Sequence, residues 1–143
     1  MNFRLLKDSD FDQYLVLLNQ LTDSPKLDFQ EKGIYFYRQS MHSGHTMLAF
    51  DEDKLVGAIS WFLEPKASHG MKDVLHIEDL VVDEDFRGKG LGKALVLEVI
   101  KNVGDEWVYK VILNCKEELR SFYEKCGFRQ SGIQMRLDLG EKT

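Results

Sequence analysis

Apolar positions along the chain change period several times, and the changes mark out the elements. Phe11, Tyr14, Leu15 and Leu18 recur at i, i+3, i+4 and i+7, the spacing of one helix face. Ser9-Asp10-Phe11-Asp12 fits a loose capping box, so a first amphipathic helix is predicted to run to about Leu21. "TDSPK" breaks it. Asp28 with Glu31 has the form of a second helix start, and Ile34, Tyr37 or Arg38, and Met41 continue one face as far as the loop "HSGH". No strand is predicted ahead of these helices.

The pattern then turns to strands. "HTMLAF" and "LVGAISWFL" flank the polar "DEDK", which predicts a hairpin. After the loop "EPKASHGMKD", the branched residues of "VLHIEDLVV" predict a third strand, followed by a glycine-rich turn and a helix from about Leu91 to Val103. "EWVYKVILNC" alternates as a fourth strand, "EELRSFYEKCGF" is a short helix ending at Gly127, and "SGIQMRLDL" closes as a fifth strand. The predicted order is ααβββαβαβ in one α/β domain spanning residues 1–143.

The glycine turn carries the first chemical signal. Gly88, Gly90 and Gly92 alternate beside Arg87, Lys89 and Lys93 between a strand and a helix. Glycines let backbone approach an anion closely, and a helix start directs unpaired N–H groups at it. Such a site suits a pyrophosphate. A Walker P-loop would need glycine at Arg87 and Ser or Thr at Ala94, and a dinucleotide fingerprint starting at Gly88 would need glycine at Lys93. Both patterns fail.

Composition narrows the partners. A net charge of −5 over 143 residues, with a pI near 5.4, argues against general nucleic-acid binding. The basic turn is therefore a local feature. The start "MNFRLLKDSDFDQYL" has no secretory apolar core, and "LVGAISWFL" is far below membrane-spanning length. The expectation is a soluble cytoplasmic protein with no membrane partner. Cys115 and Cys126 form no zinc-like pattern, so no metal site is expected and both read as reduced thiols.

Arg87-Gly88-Lys89-Gly90-Leu91-Gly92 matches the R/Q-x-x-G-x-G/A motif of the GNAT superfamily of acetyl-CoA-dependent N-acetyltransferases, and "FYEKCGF", Phe122 to Phe128, resembles its second signature. "HIEDLVVDEDFRGKGLGKAL", "YKVILNC" and "FYEKCGF" further resemble the branch that acetylates glucosamine 6-phosphate on the way to UDP-N-acetylglucosamine. The resemblance implies a GNAT fold: a mixed, twisted central sheet with helices on both faces, splayed between strands 4 and 5, with acetyl-CoA in the split. It also implies a homodimer whose substrate pockets are completed across the interface.

Site residues follow from the same resemblance. Arg87, Gly88, Lys89, Gly90, Leu91 and Gly92 would hold the CoA pyrophosphate, mainly by backbone N–H groups, and the backbone of Leu80, Val81 and Val82 would align the pantetheine arm. Tyr123, which by position alone is a core aromatic, becomes the acid for the CoA sulfur and a cofactor contact. Glu78 and Asp79 would contact the amino sugar, and either could accept the amine proton, with Glu78 preferred. On an ideal strand they point to opposite faces, so sharing one task requires a bulge.

Thr22, Lys66, His69, Tyr109 and Lys110 match substrate positions, the last two as a pair that reaches the partner's site. Two departures stand out. Leu119 replaces an asparagine near the CoA arm, and the arginine expected in the last strand falls near Asp138, leaving Arg136 to take the phosphate. Direct attack without an acetyl-enzyme is the expected route. Transfer to another small amine or a peptide N-terminus is the alternative, and a CoA-binding module without turnover is a third reading.

Overall fold

Alternate residues of a strand face opposite ways, and here both faces of the central strands are apolar. The computed structural model describes residues 1–104 and 106–140. Five strands, β1 (Asn2–Leu5), β2 (Gly44–Asp51), β3 (Lys54–Glu64), β4 (Asp73–Val82) and β5 (Val108–Ile112), form one sheet in the order β1-β2-β3-β4-β5. All neighbours are antiparallel except β4 and β5, which are parallel. Their connection runs through α3 (Leu91–Val103), the crossover that a parallel pair requires.

Helices α1 (Phe11–Leu18) and α2 (Phe29–Met41) precede the hairpin. Tyr14 and Leu17 of α1 pack with Leu48, Phe50, Leu55, Ala58 and Val81. Gly57, the neighbour of Ala58 in β3, instead faces Leu91 and Leu95 of α3. Adjacent strand residues point to opposite faces, so α1 and α3 cover opposite sides of β3. This explains the uninterrupted burial of β3 from Leu55 to Trp61.

Several expectations hold and three need correction. The hairpin turns at Glu52 and Asp53, and the Asp28–Glu31 capping box starts α2, with reciprocal bonds of 2.8 and 3.0 Å. The N-terminal strand β1 was not predicted, because four residues of burial pattern too short to show a period pair with β2 across some forty positions of chain. Ser9 does not cap the first helix. Asp10 is buried instead, accepting from the Lys7 N–H at 2.8 Å and from both terminal nitrogens of Arg4 at 2.7 and 2.8 Å. The Arg4 hydrogen bonds, ahead of the Lys7 amide, hold its carboxyl below the ordinary range.

The third correction lies in the second compact unit, which begins at Asn114. It contains a 3₁₀ turn at Glu117–Leu119, α4 (Arg120–Lys125) and a left-handed Gly127 with φ 101°. The final predicted strand, "SGIQMRLDL", is not a strand among the described residues. Its alternation is present, but Ile133, Met135, Leu137 and Leu139 are 86, 87, 84 and 86 % exposed. A strand needs a partner for its backbone, and none is recorded for this segment.

Gly57 is where α3 meets the sheet. A Cβ there would lie 3.0 Å from Leu95 Cδ1 and 3.2 Å from Leu91 Cδ2. Gly57→Val is expected to destabilise by about 1–3 kcal/mol through overpacking, with Gly57→Ala costing less because the leucine tips can shift. Urea denaturation checks this, and an unchanged midpoint for the valine variant would contradict it.

Candidate active site

The glycine turn begins where β4 ends. The Asp83 N–H donates to the Val56 carbonyl (2.8 Å), and the Asp83 side chain accepts from the Asp85 N–H (2.9 Å), folding Glu84–Phe86 into a 3₁₀ turn. Gly88 and Gly90 then adopt φ 77° and 84°, and Gly90 is the N-cap of α3 with no side-chain cap. Neither glycine has an atom within 4 Å of where a Cβ would stand. The backbone is left-handed, the space in front of it is open, and the first N–H groups of α3 are left for a ligand.

Arg87 works inward as well as outward. Its Nε donates to the Val82 carbonyl at 2.9 Å, locking the turn to the strand end. Lys89 and Lys54 place their ammonium groups 5.0 and 5.5 Å from the Phe86 ring centre. Gln20, which carries no signal along the chain, ties the segment after α1 to this turn. Its Oε1 accepts from the Glu84 N–H (2.9 Å) and from Arg87 (3.4 Å), while its Nε2 donates to Asp83 (3.2 Å). Contacts spanning more than sixty positions leave no periodic signal.

The bulge required for Glu78 and Asp79 is present. Ser60 pairs with Glu78 and Ala58 with Val81, so Asp79 and Leu80 together oppose Ile59. Asp79 takes φ 46°, a left-handed conformation that aspartate tolerates better than most residues. Both carboxylates thereby address the α1/α2 face. Glu78 lines a cavity with Tyr35 and Ser60, and Asp79 is close enough to Tyr14 and Tyr35 to help raise their phenols.

Each carboxylate remains open to solvent on one side, yet burial pushes both above the ordinary range, with Asp79's charge adding to the effect on Glu78 and His76 opposing it. Beneath them lies a hydroxyl cluster. Thr46 and Ser60 are 2.7 Å apart, and Gln39 donates to Thr46 at 3.1 Å. Tyr14 adds a phenol pushed up to about 12 by burial.

The split between strands is visible in the register. β5 pairs with β4 only from Asp73 to His76, leaving Ile77–Val82 without a ladder partner on that side. The backbone of Leu80, Val81 and Val82 lies in this stretch. Acceptor candidates gather near the other end of β4. Glu64 pairs with both Lys66 (3.2 Å) and His76 (3.0 Å), and His69 stacks on Tyr109 with ring centres 4.0 Å apart. Lys110 lies 5.5 Å from that tyrosine ring. Thr22 is exposed in the turn after α1, its N–H donating to the Leu18 carbonyl.

In the second unit, Tyr123 is the buried residue of α4, set edge-on to Phe122 and Phe128. Burial pushes its phenol up to about 12, with Cys115 and Cys126 adding to the shift. Arg136 pairs with Asp138 at 2.7 Å, and Leu119 is exposed.

Comparison with known proteins agrees with this geometry. The model of the acetyltransferase (GNAT) family matches residues 11–128. The chain belongs to the GNAT family. Its relatives include a glucosamine 6-phosphate N-acetyltransferase of Trypanosoma brucei brucei, 40 % identical over 97 % of this chain and 96 % of the relative. Another of that name, from Candida albicans, is 39 % identical over 93 % of this chain and 92 % of its own. The crystal structure of the Arabidopsis thaliana glucosamine-6-phosphate N-acetyltransferase superposes with a TM-score of 0.88 at 33 % identity, covering 97 % of this chain and 98 % of that one.

A GNAT chain takes its acetyl group from acetyl-CoA, and the turn fits such a donor: two left-handed glycines, open space and an uncapped helix start. No cluster of metal-ligating side chains occurs among the described residues. Asp79 offers a test of the electrostatics. Its raised carboxyl pKa means the ionised form is disfavoured by folding, so wild-type stability is lost as pH rises through that pKa. Asp79→Asn, which also tolerates positive φ, is expected to melt higher than wild type at neutral pH, with the gap closing below the ordinary carboxylate pKa. A gap independent of pH would contradict the assignment.

Proposed function

We propose that this chain acetylates the 2-amino group of glucosamine 6-phosphate with acetyl-CoA, giving N-acetylglucosamine 6-phosphate and CoA for UDP-N-acetylglucosamine synthesis. The observation that carries the reading is the bulged Glu78-Asp79 pair set directly before the glycine turn of a GNAT chain, together with near-full-length relatives named for this reaction. The whole of residues 1–143 acts as one acetyltransferase domain, a reading supported by a family match over residues 11–128 that continues from the first compact unit into the second.

Acetyl-CoA supplies an activated carbonyl and a thiol leaving group. The backbone N–H groups from Gly88 to Gly92 bind its pyrophosphate, with Arg87 and Lys89 adding positive charge. The unpaired edge at Leu80, Val81 and Val82 bonds the pantetheine amides, and one N–H there polarises the thioester carbonyl. Glu78 takes the amine proton and Asp79 orients the acceptor. A carboxyl raised toward the working pH is a better base for an ammonium than an ordinary one. Tyr123 keeps its proton at neutral pH and gives it to the departing sulfur. Thr22, Lys66, His69, Tyr109, Lys110 and Arg136 hold the sugar phosphate.

The same reading makes the protein a cytoplasmic homodimer with no nucleic-acid or membrane partner. The alternation of Ile133, Met135, Leu137 and Leu139, exposed in a single chain, supports the dimer because it is a strand pattern awaiting a partner. Light scattering is expected to give twice the 16.6 kDa chain mass, and Ile133→Lys with Leu137→Lys to give a monomer. A wild-type monomer would overturn the dimer.

Thiol release from acetyl-CoA tests the reaction directly. Turnover is expected with glucosamine 6-phosphate and little with glucosamine, and Tyr123→Phe should lower kcat about 10²-fold while acetyl-CoA still binds. Turnover only with another amine or a peptide N-terminus would overturn the acceptor.

A further inference from the structure

An acceptor that is cationic at one end and anionic at the other needs both charges met, and the α2 side of the sheet offers a pocket that does so. A cavity of about 460 Å³ lies between α2 and the strands, with Tyr35, Arg38 and His42 on its helical wall and Ser60, Phe62 and Glu78 on its floor. That volume suits a small organic ligand. Arg38 lies in the last turn of α2, and His42 is the residue that caps its C-terminus. Glu78 enters from β4.

Arg38 is the cation of this cavity. Among the cations matched to acceptor positions, Lys66 is engaged with Glu64 and Arg136 with Asp138, and Lys110 lies 5.5 Å from the Tyr109 ring. His69 is stacked on Tyr109. Arg4 and Arg87 are held by Asp10 and by the Val82 carbonyl. Arg38 is exposed, and its side chain has no hydrogen bond or ion pair among the described residues. A guanidinium presents a planar fork matched to phosphate oxygens, and here it opens onto the cavity that contains Glu78.

We propose that Arg38 is a specificity residue for the acceptor, binding its phosphate from the α2 wall while the amine faces Glu78. This rests on the acceptor reading given above. Tyr35 and Phe62 line the same cavity, and their aromatic surfaces suit the C–H face of a hexose ring. The sequence marks Arg38 only as a position on a helix face and not as a site residue. It sits on a helix with no buried residue, where one more cation looks like ordinary solvated surface.

Steady-state kinetics of wild type, Arg38→Ala and Arg38→Lys test the assignment, with glucosamine 6-phosphate and glucosamine as acceptors. Arg38→Ala is expected to raise KM for the phosphorylated acceptor by about tenfold to a hundredfold, the range for a lost charge-assisted bond. The preference over plain glucosamine should collapse, KM for acetyl-CoA should hold, and Arg38→Lys should recover part of the loss. Inhibition by inorganic phosphate should weaken in parallel.

An unchanged KM for the phosphorylated acceptor, or an equal loss with both acceptors, would overturn the role of Arg38. A wild-type protein that does not turn over glucosamine 6-phosphate would overturn the acceptor reading instead. In that case calorimetric titration with inorganic phosphate still decides Arg38, since binding present in wild type and lost in Arg38→Ala supports an anion site and equal binding refutes it.

Discussion

The pairing of β3 with β4 is the constraint on which the rest of the first unit depends. Along most of its length it is an ordinary antiparallel ladder, buried on both faces by α1 and α3. Opposite Ile59 it admits two residues against one, and that insertion changes what the strand can do. Without it, Glu78 and Asp79 would face opposite sides of the sheet, one of them against the packed helix α3. With it, both meet the α1/α2 side, and Val81 joins the core around Tyr14 and Leu17. A single irregularity therefore sets both the placement of the acidic pair and the packing of the strand that leads into the glycine turn.

Electrostatics in this chain is organised locally. The protein as a whole is acidic, yet the stretch from Arg87 to Lys93 gathers three cations around an uncapped helix start. The ion pairs seen elsewhere are mostly exposed and contribute little to stability. Their larger effect is to decide which charges remain free. Glu64 occupies Lys66 and His76 together, and Asp138 occupies Arg136. Rearranging such exposed pairs is inexpensive, so a ligand can recruit Lys66, whereas Arg38 begins without a competitor. The two site carboxylates are treated differently from the structural one: Asp10 is held low by Arg4, while partial burial raises Glu78 and Asp79, outweighing the opposing effect of His76 on Glu78.

The two signature regions rest on different kinds of support. The glycine turn is held by backbone and side-chain bonds from Asp83, Arg87 and the distant Gln20, so its shape is set before any ligand arrives. In the second unit, α4 is six residues long and is closed by hydrogen bonds from the Cys126, Gly127 and Phe128 N–H groups to the Tyr123 and Glu124 carbonyls, with Tyr123 set edge-on to two phenylalanines. The chain beyond it leaves four large apolar side chains in water. Such a surface is costly for an isolated chain and natural for one that associates.

What the sequence by itself determined is local. The hairpin, α2 with its Asp28–Glu31 box, α3 and the glycine turn were legible because their signals lie within a few residues: a period, a cap, a run of glycines. The need for a bulge at Glu78-Asp79 could be stated, since two adjacent strand residues cannot otherwise share a side. Tertiary structure decided the rest. β1 exists because β2 offers it a ladder, and "SGIQMRLDL", with a better alternation than β1, is no strand because a strand is made by its partner and not by its period. Gln20 and Arg38 could not be found along the chain for the same reason. Their significance comes from groups brought near them in space, and a one-dimensional pattern records spacing along the backbone but not distance across the fold.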